Sequence, residues 1–307
     1  MRSHLLATFA LILSGVIGGF AAYFSKIILR ELPPLTILFL RMSIMLVILL
    51  PLTYKYLPHL LKHRNQIFAT GIFWIGNLIL FIIGIQYTTA IASGIIYAGS
   101  PIVVLIEDHL LNQAKVDSRQ IIGIFLALFG VVIVVIDSNT SGIGFGSVAG
   151  IILLLLAKMS YSTYLVISKR YSQHISPLGL TTGAAICGWV ISGIVMGMYE
   201  GTSGLVKVPF LSVSAWIALL FIGILLGVVM YFLVQWGIKR ASPLVAASMI
   251  YVTTFISALS GVWILGEKLT FFLFLGGIFM LSGVYFISIW PILATRRHTK
   301  PPFISNL

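Results

Sequence analysis

The sequence predicts an all-α integral membrane protein in which ten transmembrane helices form two inverted five-helix repeats. Three observations support this fold class: a strongly apolar composition, apolar runs of membrane-spanning length, and short motifs that recur between the halves. Of the 307 residues, 59% are hydrophobic and 8% are charged, with a mean hydropathy of +1.10, whereas soluble domains carry roughly 25% charged residues. Such a composition cannot cover a water-soluble surface, so we expect the chain to fold in a bilayer.

Apolar runs set the expected number of helices. About 20 apolar residues cross a bilayer as a helix, and ten runs of the chain approach or exceed this length. The uncharged stretch from Gln66 to Ile106 is too long for one helix, so we expect a tight turn at residues 86–89 to divide it. The expected spans are residues 5–28, 34–54, 66–86, 89–111, 120–136, 147–168, 176–199, 213–238, 242–265 and 270–293.

The charged residues lie mostly in the short loops between these runs. The chain carries 19 Lys and Arg against 7 Asp and Glu, but their placement is typical of membrane topology, so we expect no nucleic-acid partner. With a cytoplasmic N-terminus, thirteen Lys and Arg fall on the inner side and only four, Lys26, Arg30, Lys207 and Lys268, on the outer side. This bias predicts a multi-pass protein of the bacterial inner membrane with both termini in the cytoplasm.

Short motifs of the first half recur in the second half at constant spacing. Residues 24–26 (Phe-Ser-Lys) match residues 167–169 (Ile-Ser-Lys) at an offset of 143, and the Pro-Leu pairs at 34 and 177 keep this offset. Later glycines recur at an offset of 153: Gly84, Gly123 and Gly130 match Gly237, Gly276 and Gly283. The difference of ten residues fits a longer loop from Glu200 to Ser212 in the second half.

The two offsets define two five-helix units. We expect a first repeat at residues 1–138, a second at residues 147–295, and a cytoplasmic tail at residues 296–307. Because five is an odd number, the second unit must enter the membrane in the opposite orientation to the first. Inverted repeats of this kind are typical of transporters, since the halves can exchange conformations around a central site.

The order of several motifs resembles one family. These motifs are residues 18–26, Pro34 to Arg41, Ala90 to Pro101, and Leu265-Gly266-Glu267-Lys268 followed by residues 276–283. Over nearly the whole chain the sequence resembles the EamA-type branch of the drug/metabolite transporter superfamily. It departs from the pattern in that the first half, around Asn112-Gln113, lacks the Gly-Glu pair that the second half has at Gly266-Glu267, and in lacking a Trp before the first-helix glycine.

This resemblance implies a function and a location for the site. Members of the family are exporters of amino acids or related metabolites, and their central cavity is lined by the first, third, fourth, sixth, eighth and ninth helices. An Arg at the position of Arg41 is common in the family whatever the solute, which favours a structural or gating role for it.

Two cations fall inside expected spans, where a charge costs about 2.5–3.5 kcal/mol or more. Arg41 is either a binding or gating residue for an anion, or a structural residue that bonds helix carbonyls or extends to the interface. Lys158 forms a polar stripe with Tyr161 and Tyr164, since residues three apart share a helix face. We expect that stripe to face a wet cavity; an ion pair with another helix is the alternative.

The run Glu107-Asp108-His109 is the most unusual part of the fourth expected span. Adjacent helical residues point about 100° apart, so the three side chains cannot share one face. Either the helix ends early and the run is interfacial, or one carboxylate faces the cavity, pairs with Lys158 and takes up protons as the coupling ion. Glu107, Asp108 and His109 are therefore the coupling candidates.

Polar side chains on several spans complete the set of candidate solute-binding residues. Aromatic rings with hydroxyl or amide groups suit an amphipathic ligand. The ten candidates are Arg41, Asn77, Tyr97, Ser100, Lys158, Tyr161, Tyr164, Tyr231, Gln235 and Tyr251.

The remaining features limit the function classes. The sequence has no metal-spaced His and Cys set, and its one cysteine, Cys187, lies in an apolar run, so we expect no metal and no cofactor. We expect a secondary transporter, a monomer or homodimer, that exports carboxylated or amphipathic metabolites. Nucleotide-type solutes and drug-like cations are alternative cargoes. A membrane-embedded enzyme or receptor that uses the Glu107–His109 run is the alternative class.

Overall fold

The computed structural model describes residues 2–87, 96–115, 117–137, 147–265 and 271–290. Every regular element in these ranges is a helix. The α-helices are α1 (Arg2–Gly19), α2 (Ala21–Ile28), α3 (Pro34–Thr53), α4 (Leu57–Lys62), α5 (Arg64–Gly84), α6 (Ser100–Asn112), α7 (Ser118–Asp137), α8 (Val148–Tyr171), α9 (Pro177–Tyr199), α10 (Ser203–Lys207), α11 (Val213–Leu220), α12 (Met230–Arg240), α13 (Pro243–Leu265) and α14 (Phe271–Val284).

The predicted all-helical membrane fold is confirmed. By length and composition, six helices of the described residues can each cross a membrane: Ser3–Ile28, Pro34–Lys62, Arg64–Gly84, Val148–Tyr171, Pro177–Tyr199 and Val213–Arg240. Shorter apolar helices cover Ser118–Ile133, Pro243–Ser257 and Phe274–Ile289. The number of ten spans stays a prediction. Residues 88 and 89 of the expected turn, the Gly266-Glu267-Lys268 part of the family motif, and the tail at 296–307 lie outside the described residues.

The outer surface of the bundle carries many large apolar side chains. Phe9, Val47, Leu110, Phe125 and Met198 all lie exposed on different helices. In water such an apolar surface would drive association, whereas in a bilayer it is solvated by acyl chains. The exposed side chains therefore face lipid, as the composition predicts.

The first, eighth and tenth expected spans are irregular; in the tenth, Tyr285–Ile289 is π-helical. The first is interrupted at Phe20, which separates α1 from α2. The eighth contains a π-helical segment, Phe221–Val229, between α11 and α12. Such segments often occur at functional sites, because the wider turn changes which carbonyls are available to other partners. The irregularities of the first and eighth spans lie beside the cavity described below.

Glycines that the repeat relates to each other meet where α7 crosses α14. A Cβ atom on Gly123 would lie 2.9 Å from Gly283 O, and one on Gly130 would lie 2.5 Å from Gly276 O. Gly123 is the sequence equivalent of Gly276, and Gly130 is the equivalent of Gly283. Each glycine of α7 thus contacts the equivalent of the other α7 glycine, and this pattern requires a two-fold relation between the two helices. The reversed order of the contacts makes α7 and α14 antiparallel, which is the arrangement that inverted repeats require.

Helix α3 is capped by a side chain from another helix. Its N-cap is Pro33, which offers no side-chain acceptor; instead Glu200 accepts hydrogen bonds from Leu35 N and Thr36 N, both at 2.8 Å. At the equivalent start of α9, Ser176 caps its own helix by accepting from Gly179 N at 3.1 Å. Glu200 thus replaces a local cap and joins the end of α9 to the start of α3.

We expect Glu200→Ala to lower the free energy of unfolding by about 1 kcal/mol, because amide groups of α3 lose their acceptor. Adding Pro33→Ser should restore part of this loss. Pro33 and Ser176 have nearly the same backbone angles, with φ of −65° and −68° and ψ of 151° and 152°. Thermal unfolding of the detergent-solubilised variants measures both effects. A Pro33→Ser change that gives no recovery in the Glu200→Ala background contradicts the capping role.

Candidate functional site

A cavity of about 400 Å³ lies between the two predicted repeats. The first repeat contributes residues of α1, α3 and α5 together with Ala21 and Tyr97, and the second contributes residues of α8, α12, α13 and Leu226 of the π-helical segment. The walls therefore come from the first, third, fourth, sixth, eighth and ninth expected spans. The second span adds to this set through Arg41.

Sequence-equivalent positions face each other across this cavity. At an offset of 143, Lys158 and Tyr161 correspond to Gly15 and Gly18; all four line the cavity. The same holds at an offset of 153 for Met230, Tyr231 and Val234 against Asn77, Leu78 and Phe81, and for Ile250 against Tyr97. The cavity therefore lies on the pseudo-two-fold axis of the repeat, although its side chains are not symmetric.

Lys158 projects into the cavity from near the middle of α8. Only 3% of its surface is exposed, and its Nζ lies 4.5 Å from the ring centroid of Tyr97 and 4.4 Å from that of Tyr161. No carboxylate of the described residues lies within ion-pair distance of it, so the alternative of an ion pair with Glu107 or Asp108 is not formed among them. Ring faces attract the ammonium, but they do not neutralise its charge.

Arg41 is the second cation of the cavity wall. Its Nη2 donates to Leu226 O at 3.3 Å, within the π-helical segment, and its guanidinium lies 5.5 Å from the ring centroid of Tyr231. The Nε atom is buried without a hydrogen-bond partner. Among the described residues that line the cavity, Arg41 and Lys158 are the only charged ones. The site is therefore electropositive.

Polar neutral groups complete the wall. Tyr97 Oη donates to Asn77 Oδ1 at 2.9 Å, which fixes the ring that lies against Lys158. Of the ten predicted binding residues, the structure brings six together around the cavity: Arg41, Asn77, Tyr97, Lys158, Tyr161 and Tyr231. Aromatic and apolar surface surrounds a few convergent polar groups, which is the usual composition of a small-molecule site.

The other four predicted residues do not line the cavity. Tyr164 and Gln235 are buried beneath it, where Gln235 Nε2 donates to Tyr164 Oη at 2.7 Å. Ser100 and Tyr251 are buried as well, and their hydroxyl oxygens have no hydrogen-bond partner among the described residues. These four side chains belong to the packed interior around the cavity.

The Glu107-Asp108-His109 run also lies away from the cavity. Helix α6 continues through it to Asn112, so the helix does not end early. Glu107 accepts from Thr163 Oγ1 at 3.3 Å, while its Oε2 is buried without a partner. Asp108 accepts from Asn112 Nδ2 at 2.7 Å, and the exposed His109 lies beside Ala114 O.

Sequence reasoning missed the small side chains of the wall. Gly15, Gly18 and Ala21 leave room for the cavity on the α1 side, and Gly15 also brings α1 close to Val252 of α13. The repeat could have predicted that these residues line the cavity, because they are the equivalents of Lys158, Tyr161 and Tyr164 at the offset of 143. The polar stripe on one half identifies the facing stripe on the other.

We expect Lys158→Met to raise the free energy of unfolding by about 1–3 kcal/mol, because it removes a buried cation that has no counter-charge among the described residues. Lys62→Met, at an exposed lysine of α4, is the matched control and should leave stability unchanged. Thermal unfolding in detergent without added solute provides the measurement. Destabilisation by Lys158→Met would mean that the ring contacts outweigh the cost of burial.

Comparisons with known proteins agree with this architecture. The model of the EamA-like transporter family matches the chain twice, over residues 5–136 and 148–289. The uncharacterized transporter YetK of Bacillus subtilis strain 168 is 28% identical over 292 residues, which cover 92% of this chain and 84% of that protein. An uncharacterized transporter of Archaeoglobus fulgidus is 23% identical over 295 residues, with 92% and 96% covered.

A solved crystal structure shows the same fold. It superposes with a TM-score of 0.80 at 16% sequence identity and covers 97% of this chain and 100% of the other. The two family matches fall on the two halves that the motif offsets define, so each half corresponds to one copy of the family domain.

Proposed function

We propose, from the premise that the chain belongs to the EamA-like transporter family, that it is a secondary transporter of small carboxylated or amphipathic metabolites, such as amino acids. The solute binds in the central cavity and crosses by alternating access. Export is the direction that the family resemblance implies. The protein lies in the bacterial inner membrane with both termini in the cytoplasm, as the distribution of Lys and Arg favours.

The observation that supports the solute class is the pair of cations that have no carboxylate partner among the described residues. Arg41 and Lys158 line one cavity together with tyrosine rings and an amide. In a low-dielectric site an unneutralised cation attracts an anion strongly, and arginine can bind a carboxylate through two parallel hydrogen bonds. The volume of about 400 Å³ lies within the range of small-molecule sites.

The alternative of a membrane-embedded enzyme or receptor rested on Glu107, Asp108 and His109. These side chains do not line the cavity, which favours transport over an acid–base role toward a solute bound there. Drug-like cations are disfavoured by the two positive charges of the wall. Nucleotide-type solutes are also anionic, and they form a separate arm of the experiment below.

We expect purified protein in liposomes to catalyse counterflow of a small carboxylate or amino acid, and Lys158→Gln to reduce it by about tenfold or more, because a charge-assisted contact is worth more than 1.4 kcal/mol. Arg170→Gln, at an exposed arginine on the same helix, is the matched control. Amino acids, monocarboxylates, nucleotides and an organic cation are tested in parallel. Preferential exchange of the cation contradicts the solute class, and turnover of a solute without any flux contradicts transport.

Protons are the proposed coupling ion, with Glu107 as the group that carries them. Its buried Oε2 has no hydrogen-bond partner among the described residues, whereas Asp108 already accepts from Asn112. We expect Glu107→Gln to abolish the acceleration of flux by a pH gradient while leaving counterflow at equal pH intact. His109→Gln, at the exposed member of the run, is the control. Unchanged gradient-driven flux in Glu107→Gln and Asp108→Asn would exclude this run from coupling.

A further inference from the structure

Beyond one end of the cavity, a lysine of α8 binds the terminus of another helix. Lys169 Nζ, near the end of α8, donates to Ile238 O at 3.1 Å, Lys239 O at 3.2 Å and Ala241 O at 2.8 Å. These three bonds use all the donors of the ammonium group. The carbonyls at a helix C-terminus lack intrahelical partners and carry partial negative charge, so the cation holds the ends of α8 and α12 together.

A buried polar layer lies between this lysine and the cavity. Gln235 Nε2 donates to Tyr164 Oη at 2.7 Å and to Ser168 Oγ at 3.0 Å, and all three side chains are buried. Along α8, the residues that line the cavity come first, then the polar layer, and then Lys169. Along α12, the cavity residues are followed by Gln235 and then by the carbonyls that Lys169 binds. A solute that leaves the cavity between α8 and α12 at this end would therefore have to pass both layers.

The equivalent lysine of the first repeat is in a different state. Lys26 corresponds to Lys169 at the offset of 143, and Ile85 and Gln86 correspond to Ile238 and Lys239 at the offset of 153. Lys26 is exposed, and it makes no hydrogen bond or ion pair within the described residues. In the part of the chain that the structure describes, the two ends of the cavity therefore differ in one specific contact, which is formed in the second repeat and not in the first.

We propose that these two lysines act in alternation. When the end of the cavity next to Lys169 opens, Lys169 releases the carbonyls of α12, and Lys26 binds the carbonyls of Ile85 and Gln86 at the end of α5. The inference rests on the alternating access of the proposed function, in which inverted repeats exchange conformations. Each lysine is a gate residue, which positions helix ends and does not touch the solute.

The sequence favours the state seen here. Tyr164 and Gln235 correspond to Ala21 and Ile82 in the first repeat, so the polar layer that supports the Lys169 contact has no equivalent beside Lys26. With fewer supporting bonds, the opposite state depends more strongly on its lysine. Loss of Lys26 should therefore leave the protein trapped in the conformation described.

The test measures the opening of one end without any solute. In a Cys187→Ser background, Ser168→Cys places a thiol in the buried polar layer, and its rate of reaction with N-ethylmaleimide reports the open population of this end. We expect Lys169→Met to raise this rate by about tenfold and Lys26→Met to lower it by about tenfold, each a shift of about 1.4 kcal/mol. Arg170→Met and Arg30→Met, at exposed neighbouring cations, should leave the rate unchanged.

Opposite responses to the two substitutions support the exchange. If Lys26→Met leaves the labelling rate unchanged or raises it, Lys169 is only a structural tie and the proposal is overturned. Should Lys169→Met fail to fold, Lys26→Met decides the question. Ser25→Cys, the equivalent reporter at the other end, is then labelled in the Lys26→Met background, where its rate of reaction should rise. The labelling experiment contains no solute, so it is independent of the counterflow experiment. Absence of counterflow would contradict the proposed function without changing the labelling result.

Discussion

The constraint on which the whole structure depends is the absence of water in the hydrocarbon core. Every backbone N–H and C=O in a bilayer must find a partner within the protein, which makes each described element a helix and leaves only the groups at the helix ends, near the membrane boundary, to be satisfied by other partners. The chain satisfies two of these ends from other helices. Glu200 accepts from the amides that begin α3, and Lys169 donates to the carbonyls that end α12. Both contacts join helices far apart in sequence.

The same constraint makes the cavity wall distinctive. A charge in a membrane interior is normally paired, yet Arg41 and Lys158 contact aromatic rings and a backbone carbonyl and no carboxylate of the described residues. Their charge is stabilised only in part without a ligand. An anion that enters the cavity would complete their coordination, and the cost of burying the two cations would then favour negatively charged groups in the proposed transport.

Much of this arrangement could be predicted from the sequence, and the exceptions have physical causes. Hydropathy located the helices, and Pro34, Pro177 and Pro243 begin helices as N-terminal prolines do. A polar stripe identifies a helix face but not depth, which is why Tyr164 was grouped with Lys158 although it packs beneath the cavity. Residues such as Gly18 carry no polar signal, and only the repeat reveals that they line the same space.

The repeat supplies two-fold backbone geometry, but divergence has removed the symmetry of the side chains. Arg41 belongs to the first repeat and corresponds to Ala184, while Lys158 belongs to the second and corresponds to Gly15. The two cations are therefore attached to different halves of the protein. Any rearrangement of one half against the other alters the distance between them, so an anion that contacts both binds best in one state. A ligand shifts a conformational equilibrium only through such differential binding, and a pair of cations split between the repeats would provide it for the proposed anionic solute.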